Sequence, residues 1–194
     1  MPRLTRADLM TLEAYAKARP ELRAQVLAHK KHRSITLGEH VTLIFEDELT
    51  IRYQIQEMLR VERIFEEAGI QDELDAYNPL IPDGANWKAT MLIEYTDVAE
   101  RQSMLAKLKD IEHQVWVQAA GQAQIHAIAD EDMERANEEK TSAVHFLRFE
   151  LDPATVGAIK AGAAIAIGIS HPAYSALIPA LSESSRSALA QDLI

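Results

Sequence analysis

Strand-like and helix-like patterns alternate irregularly along this chain, and this alternation is the strongest constraint on its fold. Residues 33–47 and 114–129 each contain two short apolar runs around a glycine, a pattern that predicts β-hairpins. Further strand patterns occupy residues 87–95, 143–151 and 164–170. Because no regular βαβ repeat occurs, we predict an α+β fold, with a mainly antiparallel sheet built from hairpins and packed against one long helix and several shorter helices.

Proline and glycine positions set the predicted helix boundaries. Pro20 interrupts the first helical pattern, so we predict two short helices within residues 6–32. The longest pattern runs over residues 48–68 and is predicted to end at Gly69, which favours a helix C-terminus. The acidic segment at 130–140 is predicted to be a helical or mobile connector.

Length and composition limit the kinds of protein that the chain can form. The 194 residues suit one domain covering 1–194, and 47% of them are hydrophobic, as in an ordinary globular protein. No apolar run approaches the roughly 20 residues of a membrane span, and no apolar leader is present at the start. We therefore expect a soluble cytoplasmic protein with no membrane association.

The chain contains no cysteine. Disulfides, thiolate zinc sites, iron–sulfur clusters and cysteine nucleophiles are therefore excluded. Any bound metal, such as a divalent ion, must be held by histidine, carboxylate or carbonyl ligands.

Charge divides the chain into a basic helical arm, residues 1–33, and an acidic α+β body, residues 34–194. The arm carries eight Lys/Arg and three Asp/Glu, whereas the whole chain has a formal net charge of −10. Such an arm can bind nucleic acid, but the aromatic and glycine patterns of nucleic-acid modules are missing. We therefore expect the arm to be solvated or to dock on the acidic body.

The long helical pattern contains a carboxylate where an apolar residue is expected. On a helical wheel that places Ile51 at zero, Ile55 and Phe65 lie within about 40°, and Glu62 lies at about 20°, in the middle of the apolar stripe. A buried, unpaired carboxylate costs several kcal/mol. Glu62 must therefore be paired, protonated, metal-bound, or exposed because the helix extends beyond the core.

Two predicted strands offer polar partners for Glu62. In residues 143–151 both faces are apolar, so His145 on one face or Arg148 on the other must be shielded from water. Glu94 belongs to residues 87–95 and also has apolar neighbours.

One interpretation of these residues is structural, with Arg148 paired to Glu62 or Glu94 and His145 bonded to a carbonyl. The other is a site in which Glu62, Glu94 and His145 act as catalytic groups or metal ligands while Arg148 orients an anion.

Several long segments resemble the bacterial family known as domain of unknown function 3501 (DUF3501). They read "AYAKARPELRAQVLAHKKHR", "LIFEDELTIRYQIQEMLRVERIFEEAGIQDELDAYNPLIPDGANWKATMLIEY" and "EEKTSAVHFLRFEL". The resemblance extends from about Leu4 to the C-terminus and brings no catalytic residues with it. It implies a cytoplasmic protein encoded near rubrerythrin and an iron–sulfur oxidoreductase-like protein, and hence a link to peroxide and redox metabolism.

Two functional hypotheses remain at this point. The first is an accessory protein that contacts a redox-protein partner and forms a homo-oligomer. The second is a small enzyme or metal-binding protein whose site contains Glu62, Glu94, His145 and Arg148. The sequence does not decide whether the chain is an enzyme.

Overall fold

The computed structural model describes residues 3–131 and 140–194, which form six α-helices and two antiparallel sheets. The predicted α+β class is therefore confirmed. The helices are α1 (Leu12–Lys30), α2 (Glu48–Glu62), α3 (Glu67–Tyr77), α4 (Val98–Lys107), α5 (Pro153–Lys160) and α6 (Glu183–Ala190). The strands are β1 (Ser34–Leu37), β2 (Val41–Phe45), β3 (Asn86–Ile93), β4 (Val115–Ala119), β5 (Ile125–His126), β6 (Ile128–Ala129), β7 (Val144–Glu150), β8 (Ile165–His171) and β9 (Tyr174–Ile178).

The strands divide into a five-stranded sheet, in the order β1-β2-β3-β7-β6, and a four-stranded sheet, in the order β5-β4-β8-β9. The two predicted hairpins are present as β1–β2 and β4–β5. A further hairpin, β8–β9, was not predicted. It turns through Pro172 and Ala173, with His171 opposite Tyr174.

Alternate residues of both sheets meet in one hydrophobic core. In β2, Val41, Leu43 and Phe45 are fully buried, whereas the residues between them are partly exposed. Ile165 and Ile167 of β8 join the same core from the four-stranded sheet. The period-2 pattern therefore reflects burial on one face of each strand. We call the face of the five-stranded sheet that points into this core its inner face.

A second hydrophobic cluster holds α1, α2 and α3 together beside the outer face of the five-stranded sheet. Its buried members include Ile51, Ile55 and Leu59 of α2, which are three residues of the predicted apolar stripe or its flank. Between α3 and the outer face lies a space of about 520 Å3, which we call the outer cavity. Its walls include Tyr77 from the helical side and Phe146 from β7.

The predicted break at Pro20 is wrong, because α1 runs through this residue without interruption. Proline cannot donate the backbone hydrogen bond of a helix interior. The carbonyl left without this donor belongs to Ala16, and both Ala16 and Pro20 are exposed, so water can satisfy the carbonyl and the helix continues.

The predicted end of the long helix at Gly69 is also wrong. Helix α2 ends at Glu62, where Arg63 adopts a left-handed conformation with φ of 56°, and Gly69 lies within α3. The Ile64 N–H donates to the Leu59 carbonyl across this turn at 3.0 Å, which satisfies a carbonyl at the helix end.

Within the described residues, no helix is long and apolar enough to cross a membrane. Most of the acidic connector predicted at 130–140 lies outside the described residues, because 132–139 are not among them.

Candidate functional site

Glu62 does not lie in the core, and its predicted position in the middle of a buried apolar stripe is wrong. It is exposed at the last turn of α2, and Phe65, predicted to share its stripe, lies beyond the helix and is 65% exposed. The wheel assumed a helix that continues past residue 62, whereas the left-handed Arg63 turns the chain there. Of the alternatives stated for Glu62, the structure selects exposure at a helix end that extends beyond the core.

Glu94 is also exposed. It follows β3 immediately, and its carboxylate accepts a hydrogen bond from Thr42 Oγ1 at 3.2 Å. The apolar neighbours of Glu94 in sequence belong to the strand itself, which ends one residue earlier at Ile93. Neither Glu62 nor Glu94 is brought to His145.

Arg148 lies on the outer face of β7, facing the outer cavity. Its Nε and one terminal nitrogen donate to the two oxygens of Glu131 at 2.7 and 2.8 Å, and it also forms an ion pair with Glu150. These contacts raise the pKa of Arg148 further above its ordinary value. The predicted pairing of Arg148 with Glu62 or Glu94 is therefore wrong, since two other carboxylates occupy the guanidinium.

His145 lies on the inner face of β7 and is completely buried, so of the two residues of which at least one was expected to be shielded from water, it is the one in the core. Its Nδ1 is 2.5 Å from Asp130 Oδ2, and its Nε2 is 2.9 Å from Thr141 Oγ1 and 3.0 Å from the Ser142 carbonyl oxygen. Glu112 Oε2 lies 3.8 Å from Nε2 and accepts from Thr141 Oγ1 at 3.2 Å. We call these five residues the His145 cluster.

Asp130 is positioned by pairing with β7. It follows β6 with φ of 50°, a left-handed conformation, and its N–H donates to the Phe146 carbonyl at 2.8 Å. Its Oδ1 accepts from the Phe146 N–H at 2.9 Å, so only Oδ2 is directed to His145. The carboxylate is therefore held by the backbone of the strand that carries the histidine.

Glu112 and Thr141 enter the cluster from turns. Glu112 belongs to a single 3-10 turn, Ile111–Gln114, which connects α4 to β4, and it is buried beside the buried Ile111. The Thr141 N–H donates to the Leu105 carbonyl of α4 at 3.1 Å. The cluster is thus closed by the end of α4 on one side and by β6 and β7 on the other.

The groups around the His145 ring limit how its two nitrogens can be protonated. A neutral ring carries one N–H, yet Nδ1 faces the Asp130 carboxylate and Nε2 faces the Ser142 carbonyl and the Thr141 hydroxyl. The Thr141 hydroxyl can donate to Glu112 Oε2 at 3.2 Å or to Nε2 at 2.9 Å. Three arrangements therefore satisfy the ring: a neutral ring that donates from Nδ1 to Asp130 and accepts from Thr141 at Nε2, a ring with two protons, or a cation bound at Nε2 and the oxygens around it.

The same atoms are suitably spaced to hold a metal ion. Glu112, Asp130 and His145 each offer an atom within 4.8 Å of the others, and an ion at Nε2 would take its ligands from His145 and Glu112 while Asp130 stays on Nδ1. Ligand atoms about 2.1 Å from a shared ion are separated by roughly 3.0–3.4 Å. The separations of 2.9–3.8 Å around Nε2 require only small movements to reach that range. The Nδ1–Asp130 contact is shorter, and it matches a carboxylate that orients a metal-binding histidine.

Sequence reasoning missed Glu112 and Asp130. Both residues come from turns, where no periodicity marks which side chains face inward. The signal that was present is the position of His145 between apolar residues on a strand face, which predicted its burial and its need for partners.

A second buried polar group fixes the basic arm to the body. Arg33 is 2% exposed, donates to the carbonyls of Phe45, Glu46 and Ala188 at 3.0–3.2 Å, and forms an ion pair with Asp192. Burial raises the pKa of Asp192 to about 6, although Arg33 opposes this rise. The arm therefore docks on the acidic body at this point, as one of the stated alternatives predicted.

Arg19 provides a second attachment of the arm. Its guanidinium donates to both oxygens of Glu57 on α2, at 2.7 and 2.8 Å. This contact, joined by Tyr15 and Arg60, lowers the pKa of Glu57 to about 2.

Comparisons with known proteins agree with the resemblance seen in the sequence. A family model described as "Protein of unknown function (DUF3501)" matches residues 3–193. A crystal structure of a novel protein of unknown function from Burkholderia pseudomallei K96243 is 53% identical in sequence, with a TM-score of 0.93 and full coverage of both chains. No curated protein matches the chain.

Proposed function

This chain belongs to the DUF3501 family, and we propose that it is a metal-binding protein that holds a divalent ion at the His145 cluster. The observation that carries this proposal is the buried ring of His145 with acceptors at both nitrogens and carboxylates on both sides. An ion at Nε2 would replace the unfavourable approach of lone pairs by coordination. Asp130 would then accept the remaining N–H at Nδ1 and fix the ring.

The donor set limits the identity of the ion. One imidazole nitrogen with carboxylate and hydroxyl oxygens suits divalent transition ions such as Zn2+, Mn2+ or Fe2+ better than ions that require thiolates. His145 and Thr141 are fully enclosed and Glu112 is 3% exposed, so a bulky substrate would not reach the ion. The cluster therefore favours an enclosed centre that stabilises the junction of α4 with β6 and β7.

Metal analysis tests this proposal directly. The protein is purified without a histidine tag, its metal content is measured, and uptake of Zn2+ and Mn2+ after chelator treatment is followed by calorimetry. We expect one ion per chain in the wild type and a loss of binding in Glu112→Gln, which keeps the shape of the side chain. His126→Asn is the matched control, since His126 is exposed on the neighbouring β5.

Two competing accounts need no ion: a ring with two protons, and a neutral ring that accepts from the Thr141 hydroxyl at Nε2. Nitrogen-15 NMR of His145 in chelator-treated protein distinguishes the two, because a doubly protonated ring shows two N–H signals and a neutral ring shows one. Failure of the wild type to take up metal would falsify the metal-binding proposal, whether the ring shows two N–H signals or one. Equal metal uptake by the wild type and Glu112→Gln would remove Glu112 from the ligand set.

A second candidate function is contact with a partner protein. Val61 and Phe65 flank the left-handed turn at Arg63 and are 61% and 65% exposed, which is unusual for large apolar side chains so close together. We propose that this pair forms the contact surface of a cytoplasmic accessory protein for rubrerythrin-type redox metabolism. The same surface could instead join two copies of this chain in a homo-oligomer. Support for the redox link comes only from the resemblance.

Affinity capture from the native host and sedimentation analysis test this second function. We expect Phe65→Ser to reduce recovery of a redox protein, or to reduce the oligomer, without changing thermal stability. A wild-type protein that is monomeric and recovers no redox protein contradicts it.

A further inference from the structure

The outer cavity has the size and the apolar walls of a small-molecule site. Its volume of about 520 Å3 lies within the range of roughly 300–1,000 Å3 that is usual for ligand pockets. Tyr77, Pro79 and Leu80 form one side, and Phe146 contributes from the outer face of β7. Such walls can cover the apolar body of a ligand.

The sheet side of the cavity carries two neighbouring cations, Lys88 and Arg148, and the carboxylate of Glu131, which is paired with Arg148. Lys88 of β3 and Arg148 of β7 are direct partners in the antiparallel ladder, an arrangement in which like charges repel. The donors of Arg148 are engaged by Glu131 and Glu150. Within residues 3–131 and 140–194, by contrast, the amine of Lys88 makes no hydrogen bond or ion pair.

The ammonium group of Lys88 is therefore poorly stabilised. Burial lowers its pKa below the ordinary value, and the charge of Arg148 lowers it further, although carboxylates nearby act in the opposite direction. A negatively charged group placed at the amine would accept charge-assisted hydrogen bonds from it and offset the repulsion from Arg148.

The opposite wall, on α3, determines the orientation of such a ligand. Glu73 and Asp75 line the cavity there, and burial, followed by the charge of Glu62, raises the pKa of Glu73. These carboxylates repel an anion from the helical side. The negative end of a ligand is thus directed to Lys88, with the apolar body lying along Tyr77 and Phe146.

We propose that the outer cavity is a binding site for a small organic anion with an apolar body, such as a medium-chain carboxylate, and that Lys88 binds its charged end. The site lies on the opposite face of β7 from His145. The anion site does not depend on the metal-binding proposal, because the failure of either proposal in its own test leaves the other unaffected.

Calorimetric titration with octanoate tests the proposal on the full chain. We expect octanoate to bind the wild type, and we expect octan-1-ol and octylammonium to bind at least about tenfold more weakly because they lack the negative charge. Lys88→Met removes the charge and keeps much of the length of the side chain, so affinity for octanoate should fall by about tenfold or more. Lys160→Met, at an exposed position of α5, should bind octanoate as the wild type does.

A second variant tests the proposal even if Lys88→Met does not fold. Ala76 lines the cavity from an exposed position of α3, so Ala76→Trp should fill the cavity and abolish binding while leaving the core intact. Three outcomes overturn the proposal: no binding of octanoate to the wild type, wild-type affinity for octanoate in folded Lys88→Met or folded Ala76→Trp, or binding of octylammonium as tight as that of octanoate.

Discussion

Arg33 and Asp192 are 159 residues apart in the sequence and form an ion pair in the interior of the protein. Arg33 precedes β1, and Asp192 follows α6 near the C-terminus. The pair therefore connects the first hairpin to the last helix. Its energetic balance is close, since burial of two charges costs free energy that the attraction and the additional hydrogen bonds must offset.

We predict that Asp192 makes the stability of the protein pH-dependent between pH 7 and pH 5. Its pKa of about 6 lies above the ordinary value of 3.8, so the folded state binds the proton more tightly than the unfolded state does. The resulting stabilisation is fully present below pH 3.8 and is lost as pH rises through 6. Relative to Asp192→Asn, the free energy of unfolding of the wild type should rise by about 1 kcal/mol from pH 7 to pH 5.

Urea denaturation at the two pH values measures this difference. Glu183→Gln is the control, because Arg186 lowers the pKa of Glu183 and the side chain stays ionised over this range. A constant difference between wild type and Asp192→Asn from pH 7 to pH 5 contradicts the prediction.

Arg33→Met should destabilise the protein by about 3–5 kcal/mol, because it leaves Asp192 buried without its charged partner and removes the donor from three carbonyls. Lys31→Met, two residues earlier at an exposed position, should change stability by less than about 0.5 kcal/mol. Chemical denaturation of both variants provides the comparison. Similar losses of stability in Arg33→Met and Lys31→Met would mean that the positive charge of the arm stabilises the protein and the buried ion pair does not.

Asp130→Asn should weaken metal binding by about 10–100-fold, the usual effect of removing a carboxylate that orients a metal-binding histidine. An amide at this position can donate to Nδ1, which places the ring proton on Nε2 and removes the lone pair needed by the ion. Titration with Zn2+ gives the affinity, and Asp72→Asn at an exposed position of α3 is the control. Unchanged affinity in Asp130→Asn, with a ring that keeps its proton on Nδ1, would show that Asp130 has no part in positioning.

Glu62→Gln should change the free energy of unfolding by less than about 0.5 kcal/mol and leave metal content unchanged, since Glu62 is exposed at a helix end. Thermal unfolding and metal analysis of the purified variant measure both quantities. A loss above about 2 kcal/mol would require Glu62 to be buried in solution.

The strands could be predicted because burial of one face of a sheet makes apolar residues alternate with more exposed residues along each strand. Val41, Leu43 and Phe45 carry this signal clearly, and the inward position of His145 follows from the same rule. Prediction failed where a single backbone conformation decided the outcome. Arg63 adopts a left-handed conformation that its residue type does not favour, and this one residue moves Glu62 from the predicted core to solvent.

The partners of His145 were unpredictable for a different reason. Asp130 and Glu112 reach the ring from turns that are 15 and 33 residues away in the sequence. Their approach is set by how β6 pairs with β7 and by where α4 ends, and neither is visible in local periodicity.

Strand β7 presents an imidazole to one side of its sheet and a guanidinium to the other, three residues apart. Deletion of Val144 at the start of β7 would shift the pairing of His145 and Arg148 with β3 by one position and exchange the faces on which they lie. The His145 cluster and the outer cavity would then each lose a polar side chain at once. Insertions and deletions within β7 should therefore be far less tolerated than substitutions on either side of it.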